Sequence, residues 1–249
     1  MRYFLKLSYN GTPFFGWQIQ PKDITVQEVV EKALETLFRT PVPVMGCGRT
    51  DTGVHAREFF AHFDIEEELS DEKRENIVYK MNGLLPPEVV IHELFPVAAT
   101  AHARFDAVER TYRYHITTKK DCFDFDFTYY CHVNLDIGKM NEAAALLLDN
   151  EDFTSFSKLH TQVNNNNCKV TSAFWKREGD RLVFEISANR FLRNMVRAIV
   201  GTLLEVGKGK ISIDDFQNII NQKDRRKAGT SVPAKALFLE KVRYPYLNQ

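Results

Sequence analysis

A stripe of apolar residues, Val26, Val29, Val30, Ala33, Leu34, Leu37 and Phe38, runs through residues 26–39 between stretches of extended pattern. Spacings of three and four put these side chains on one face of an α-helix, and that face must be covered by another layer. Thr25 and Glu28 stand at the spacing of a capping box, which sets the helix start. Before it, residues 2–9 alternate as a strand, and Asn10-Gly-Thr-Pro13 breaks that strand. After it, residues 41–45 (Pro-Val-Pro-Val-Met) and 58–65 read as extended chain. A second helix spans residues 70–84, with Ser70 as cap and Ile77, Met81 and Leu84 facing inward, and Pro86-Pro87 stops it. Residues 89–95 then form another strand. Strand, helix, strand, strand, helix, strand is the order of an α+β layer pair.

Near Ala103 the pattern restarts. Residues 110–117 alternate as a strand, residues 127–133 give a second, and Asp136 opens a helix to about residue 150. Residues 169–188 form a hairpin turned at Gly179-Asp180, a pair suited to a two-residue loop. A long helix is expected over residues 189–206, ended by Gly207. Ser212 caps another, with Ile213, Phe216, Ile219 and Ile220 inward, and residues 236–244 close with a strand. The expected organisation is two α+β domains, residues 1–103 and 104–249, with a similar order of elements but no residue-level repeat. The asparagine tetrad at 164–167 reads as a loop tip.

The 33 basic and 33 acidic side chains cancel, so any nucleic-acid site must come from local concentrations of Lys and Arg. Arg104, Arg110 and Arg113 form one, Arg190, Arg193 and Arg197 a second, and Lys223, Arg225, Arg226 and Lys227 a third. Four cysteines without CxxC spacing suggest neither a zinc site nor a disulfide framework. His55 and His62 beside Cys47 do not form a recognised metal spacing, so no metal is expected there, and His55 is expected to brace its loop by hydrogen bonds. Residues 1–6 lack a signal-peptide apolar core and no apolar run reaches membrane-spanning length. The expectation is a soluble, reduced, cytoplasmic protein without a membrane partner.

Residues 46–57, Gly-Cys-Gly-Arg-Thr-Asp-Thr-Gly-Val-His-Ala-Arg, join the extended segments on either side. Glycines let backbone or ligand approach closely, and Asp51 lies between cationic Arg49 and Arg57. Such a carboxylate is either an Asx turn capping its own loop or a catalytic group aimed by two strands. Asp51-Thr-Gly is also the core of the aspartic-protease signature. Those enzymes need two aspartates sharing a proton, whereas this chain has one Asp-Thr-Gly, preceded by Arg49-Thr50.

The whole pattern, Gly-x-Gly-Arg-Thr-Asp-x-Gly-Val-His-Ala, resembles the active-site loop of the TruA family, the tRNA pseudouridine synthases A. The resemblance implies that Asp51 is the essential catalytic residue. It extends along the chain. Gly11-Thr-Pro-Phe-Phe-Gly16-Trp17-Gln18 is similar to the family's aromatic loop, although aromatics beside a turn read first as core. Arg110-x-Tyr112-x-Tyr114 resembles the motif whose first tyrosine contacts the uridine, leaving Tyr114 as core. Met195-Val-Arg197-x-Ile-Val-Gly201 is similar to the segment whose arginine pairs with the catalytic aspartate, and residues 229–234 (Gly-Thr-Ser-Val-Pro-Ala) to the C-terminal signature. Cys47 and Thr52 stand where alanine is common, and residues 165–169 (Asn-Asn-Asn-Cys-Lys) replace a segment that often reads Thr-Val-Arg.

The resemblance implies the pseudouridine synthase fold, two related sheet-plus-helix domains with a basic cleft between them. It also implies a homodimer acting on nucleotides 38, 39 and 40 of the tRNA anticodon stem-loop. The chemistry needs a carboxylate and a closed pocket, after the uracil has left its stack at a cost of a few kcal/mol. Asp51 supplies the carboxylate, with Tyr112, Arg197 and Arg49 binding substrate; an aromatic ring stacked on a flipped base contributes about 1–3 kcal/mol. Arg190, Arg193 and Arg197, three and four apart, would share one helix face, and an arginine in an apolar helix needs an anionic partner. Arg57, Arg110, Arg190 and Arg193 are candidate RNA contacts, and for Arg190 and Arg193 a solvated surface stays open. The non-enzyme alternative is an RNA-binding module that keeps the cleft without turnover.

Overall fold

The computed structural model describes residues 1–158 and 165–247. The chain forms two compact units, Met1–Val108 with Leu239–Gln249, and Glu109–Phe238. Residues 239–247, which the sequence reading places in the second domain, thus cluster with the first.

In the first unit, β1 (Arg2–Tyr9) lies between β3 (His55–Asp64) and β4 (Val89–Val97), antiparallel to both. The short β2 (Met45–Gly46) pairs with β3 on the way into the Asp51 loop. Of the last strand, β9 (Leu237–Arg243), the residues from Leu239 on belong here, next to β3. Helix α1 (Val26–Phe38) buries Val26, Val30, Ala33 and Leu34 of the anticipated stripe, while Val29, Leu37 and Phe38 are half-buried. Thr25 Oγ1 accepts from Glu28 N–H at 3.3 Å, but the Glu28 carboxylate turns to Lys32 at 2.6 Å. Helix α2 (Asp71–Leu84), capped by Ser70, buries Met81 alone. Leu84, expected inside, is exposed: the helix stops there and extended Leu85 takes the inward position. The core between the layers is aromatic, with Tyr3, Phe4, Phe59, Phe60, Phe63 and Tyr244 all fully buried.

In the second unit, β8 (Arg181–Ala188) lies between β5 (Glu109–Thr117) and β7 (Val170–Glu178), antiparallel to both. The β7–β8 hairpin turns at Gly179-Asp180 as expected. The strand expected over 127–133 shrinks to β6 (Tyr129–Tyr130), parallel to β5. Helix α3 (Ile137–Ala145) tightens into a 3-10 turn at Leu146–Asp149, and packs on β7, α4 (Met195–Gly207) and α5 (Ile213–Gln222). A full capping box between Ser212 and Asp215 starts α5, which buries Phe216, Ile219 and Ile220.

The long helix expected over 189–206 starts only at Met195. Asn194 has φ of 66°, in the left-handed region, and donates from Nδ2 to Ser231 Oγ at 2.6 Å. Asn189 Oδ1 accepts from Lys169 N–H at 2.8 Å, and the Arg193 carbonyl from Lys158 N–H at 3.1 Å. These partners fasten residues 189–194 as a loop, against the local apolar spacing. Arg190 and Arg193 therefore do not share a helix face with Arg197. Asn164 lies outside the described residues, while Asn165–Asn167 are tied down rather than forming a free tip. Asn166 C=O accepts from Phe153 N–H, its Nδ2 donates to Thr154 Oγ1, and Asn167 bridges to Asp152.

Candidate active site

Residues 47–54 connect β2 to β3. The Cys47 N–H donates to Phe60 C=O at 2.7 Å, carrying the hairpin ladder one residue past Gly46. Beyond it Arg49 is exposed, Thr50 buried, Asp51 half-buried and Thr52 exposed. Val54 N–H donates to Asp51 C=O at 3.1 Å, closing a turn around Asp51-Thr-Gly-Val.

A second loop, residues 10–18, braces the first. Trp17 N–H donates to Thr50 C=O and Gly53 N–H to Phe14 C=O, both at 3.3 Å. Gly11 N–H donates to Nδ1 of buried His55 at 3.0 Å, which puts the ring proton on Nε2 and gives His55 the bracing role expected of it. At the end of β1, the Tyr9 hydroxyl lies 2.9 Å from Thr50 Oγ1, both groups buried. Gly16 is required here: its φ is +85°, and an added Cβ would run into the Thr50 carbonyl oxygen. The bracing loop is held in turn by the start of α1, where Val26 N–H meets Gly16 C=O at 3.2 Å and Gln27 N–H meets Trp17 C=O at 2.9 Å. Trp17 stacks on Phe59 with centroids 4.1 Å apart. Phe14 and Trp17 are core, as expected, whereas Phe15 is exposed. Arg57, on β3, is exposed and lies 3.4 Å from a Glu240 carboxylate oxygen.

In the second unit Tyr112 is half-exposed on β5 opposite Ile186, its ring edge-on to Phe191 at 5.1 Å. Tyr114 is fully buried and donates from its hydroxyl to Pro233 C=O at 3.0 Å, the core role expected of it. Arg110 donates to Asn189 C=O at 2.7 Å, fixing β5 to the loop that carries half-buried Arg190 and exposed Arg193. Arg197 lies in the first turn of α4, a helix otherwise buried over almost every residue. Its Nε donates to Val232 C=O at 2.8 Å, and Val232 N–H donates back to Arg197 C=O at 3.2 Å.

Residues 229–233 form a strap across α4. A Cβ on Gly201 would collide with Thr230 C=O, and Gly229 N–H donates to Thr202 Oγ1 at 2.9 Å. Arg225 holds the strap from its other side, donating to Gly229 C=O at 3.1 Å and Ser231 Oγ at 2.8 Å. Two motifs separate in sequence are thus one piece of structure.

No group of three or more His, Cys, Asp or Glu side chains among the described residues is placed to hold a metal ion. Burial pushes the Cys168 thiol up to about 11, which keeps it protonated and a poor nucleophile. No helix among the described residues is long and apolar enough to cross a membrane.

With this geometry in view, comparison with known proteins is decisive. A family model described as tRNA pseudouridine synthase matches residues 143–245. The tRNA pseudouridine synthase A of Parabacteroides distasonis is 57% identical over 247 residues, covering 98% of this chain and 96% of that protein. That of Bacteroides fragilis is 54% identical, with coverage of 98% and 96%, and that of Bacillus subtilis 38% identical, with coverage of 98% and 99%. The chain belongs to the tRNA pseudouridine synthase A family.

Of the residues that the resemblance singles out, the first unit carries Arg49, Asp51 and Arg57. The second carries Arg110, Tyr112, Arg190, Arg193 and Arg197. Sequence reasoning missed the residues that brace these groups: Tyr9 and Thr50 in the first unit, Phe191 and Val232 in the second. The signal for Tyr9 was faint, a single tyrosine closing a strand whose partner lies 41 positions on.

Proposed function

We propose that this chain isomerises uridine to pseudouridine in the anticodon stem-loop of tRNA, at nucleotides 38, 39 and 40, with Asp51 as the catalytic carboxylate. The observation that carries the reading is the Asp51 loop itself. It is suspended between β2 and β3 and braced through both Thr50 and Gly53, in a chain 57% identical to a tRNA pseudouridine synthase A. A carboxylate that must meet one sugar or base atom needs this kind of fixed backbone.

The reaction breaks the uracil N1–C1′ bond, turns the base and joins C5 to C1′. The C5 proton leaves and N1 takes one up, so atoms and electrons balance without a redox partner, and the reading includes no cofactor or metal. Asp51 acts on the sugar or the base as nucleophile, or on a sugar proton as base. Tyr112, half-exposed and held upright by Phe191, offers a face for the flipped uracil. On this reading Arg197 and Arg49 bind the substrate. Arg57, Arg110, Arg190 and Arg193 meet phosphates, with a homodimer in the cytoplasm as the working form.

The test is tritium release from tRNA carrying C5-labelled uridine, followed by mapping of pseudouridine in the product. Release confined to nucleotides 38–40 is expected. Tight tRNA binding without release would return the RNA-binding alternative, and release from other nucleotides would overturn the site assignment.

A further inference from the structure

We infer that Tyr9 is a positioning residue, whose hydroxyl aims Asp51 by holding Thr50; the inference rests on the reading of Asp51 as the catalytic carboxylate.

Thr50 is the residue immediately before Asp51, and it is gripped at two points. Its side-chain oxygen lies 2.9 Å from the Tyr9 hydroxyl, and its carbonyl accepts from Trp17 N–H at 3.3 Å. The peptide between Thr50 and Asp51 therefore cannot rotate without breaking one of these bonds. On the far side, the Asp51 carbonyl is closed by Val54 N–H and Gly53 is tied to Phe14. The backbone that carries the Asp51 side chain is thus fixed on both sides. Tyr9 is itself immobile: it is 4% exposed, ends a strand paired on both edges, and packs edge-on against Phe59 with centroids 5.6 Å apart. The hydroxyl is thus a fixed point delivered by the sheet to the loop.

The arrangement exceeds what core packing needs. A phenylalanine at position 9 and a valine at position 50 would fill about the same space and remove both hydroxyls of this pair together, and such paired replacement is close to neutral for stability. A buried hydroxyl pair in place of that apolar contact supplies direction, since a hydrogen bond constrains angle as well as distance. Near-attack geometry is sensitive to this: a shift of about 1 Å costs about a hundredfold in rate.

The experiment compares Tyr9→Phe, Thr50→Val, the double variant and Thr50→Ser, measuring kcat and KM for tRNA separately, with thermal unfolding of each. Tyr9→Phe and Thr50→Val should each lower kcat by about 10- to 100-fold with KM changed less than about twofold. The double variant, with both hydroxyls of the pair removed, should recover melting temperature relative to the single variants but not kcat. Thr50→Ser, which keeps the hydroxyl, should retain most of kcat. Recovery of kcat together with stability in the double variant would show a purely structural contact and overturn the inference, as would a kcat for Tyr9→Phe within twofold of the parent. Asp51→Asn assayed alongside separates the two levels. Turnover in Asp51→Asn sinks the catalytic reading itself, whereas an inert Asp51→Asn beside an unimpaired Tyr9→Phe sinks only the role of Tyr9.

Discussion

Arg197 and Val232 are joined twice, by a side-chain bond of 2.8 Å from Nε to the Val232 carbonyl and by a backbone bond of 3.2 Å in return. The reciprocal pair sews the strap at 229–233 to the first turn of α4. It also fixes one edge of the guanidinium and so sets the orientation of the planar group.

Replacing Arg197 should therefore affect stability and turnover together. Arg197→Ala removes a charge-assisted bond to a carbonyl and should lower unfolding free energy by about 1.5–3 kcal/mol, with turnover falling further than that loss explains. Arg197→Lys keeps the charge but not the fork, and should recover only part of either. Urea unfolding and single-turnover tritium release on the same preparations measure both. Full activity in Arg197→Ala would remove Arg197 from the proposed site.

Asp51→Asn keeps shape and removes only the ionised oxygen. Turnover should drop by at least about 10²–10⁴-fold, while tRNA affinity and melting temperature stay near those of the parent. Filter binding beside tritium release checks this. Substantial residual release by purified Asp51→Asn would end the assignment.

Much of this was legible because local and tertiary preferences agree. Val26, Val30, Ala33 and Leu34 of the α1 stripe are buried, the Ser212 box opens α5, and Gly179-Asp180 turns the hairpin. The exception at 189–194 shows where local reading fails. Phe191, Leu192, Met195 and Val196 repeat at helical spacing, yet Asn189 and Asn194 spend their side chains on Lys169 and Ser231 and hold the chain open. Those partners lie 20 and 37 positions away, beyond any window of periodicity. The Asp51 loop follows the same rule. Its composition marks it as a site, but its bracing by Tyr9, Phe14 and Trp17 exists only in the folded chain.

Because residues 189–194 form a loop, Arg193 points its charge from an exposed turn rather than a helix face. As a phosphate contact, its replacement by Gln should weaken tRNA binding and lower the slope of log K against log salt by about 0.7–1. The titration is done at several salt concentrations. An unchanged slope would make Arg193 a merely solvated residue.

The last prediction concerns pH and His62, which is buried on β3. Burial first, then the Arg2 guanidinium and His102 beside it, lower its pKa from 6.5 to about 4, against smaller opposing effects of Asp64 and Asp106. The geometry agrees, since Nδ1 accepts from Ala103 N–H at 3.1 Å and protonation there would break that bond. A folded-state pKa below the unfolded value means that the unfolded chain binds the proton first as pH falls. The stability contributed by neutral His62 is therefore complete above about pH 6.5 and is lost progressively down to about pH 4. At pH 5 the loss amounts to about 2 kcal/mol, from 1.36 kcal/mol per pKa unit. Asp64 and Asp106 are both held below the usual carboxylate range, so they do not titrate between pH 7 and 5. His102, also lowered by burial, destabilises in the same direction but is present in parent and variant alike. His62→Asn offers an oxygen near the Nδ1 position and does not titrate. Urea unfolding at pH 7 and pH 5 should show the parent losing about 2 kcal/mol more than His62→Asn over that interval. Equal losses would mean that His62 is protonated in the folded protein at pH 5.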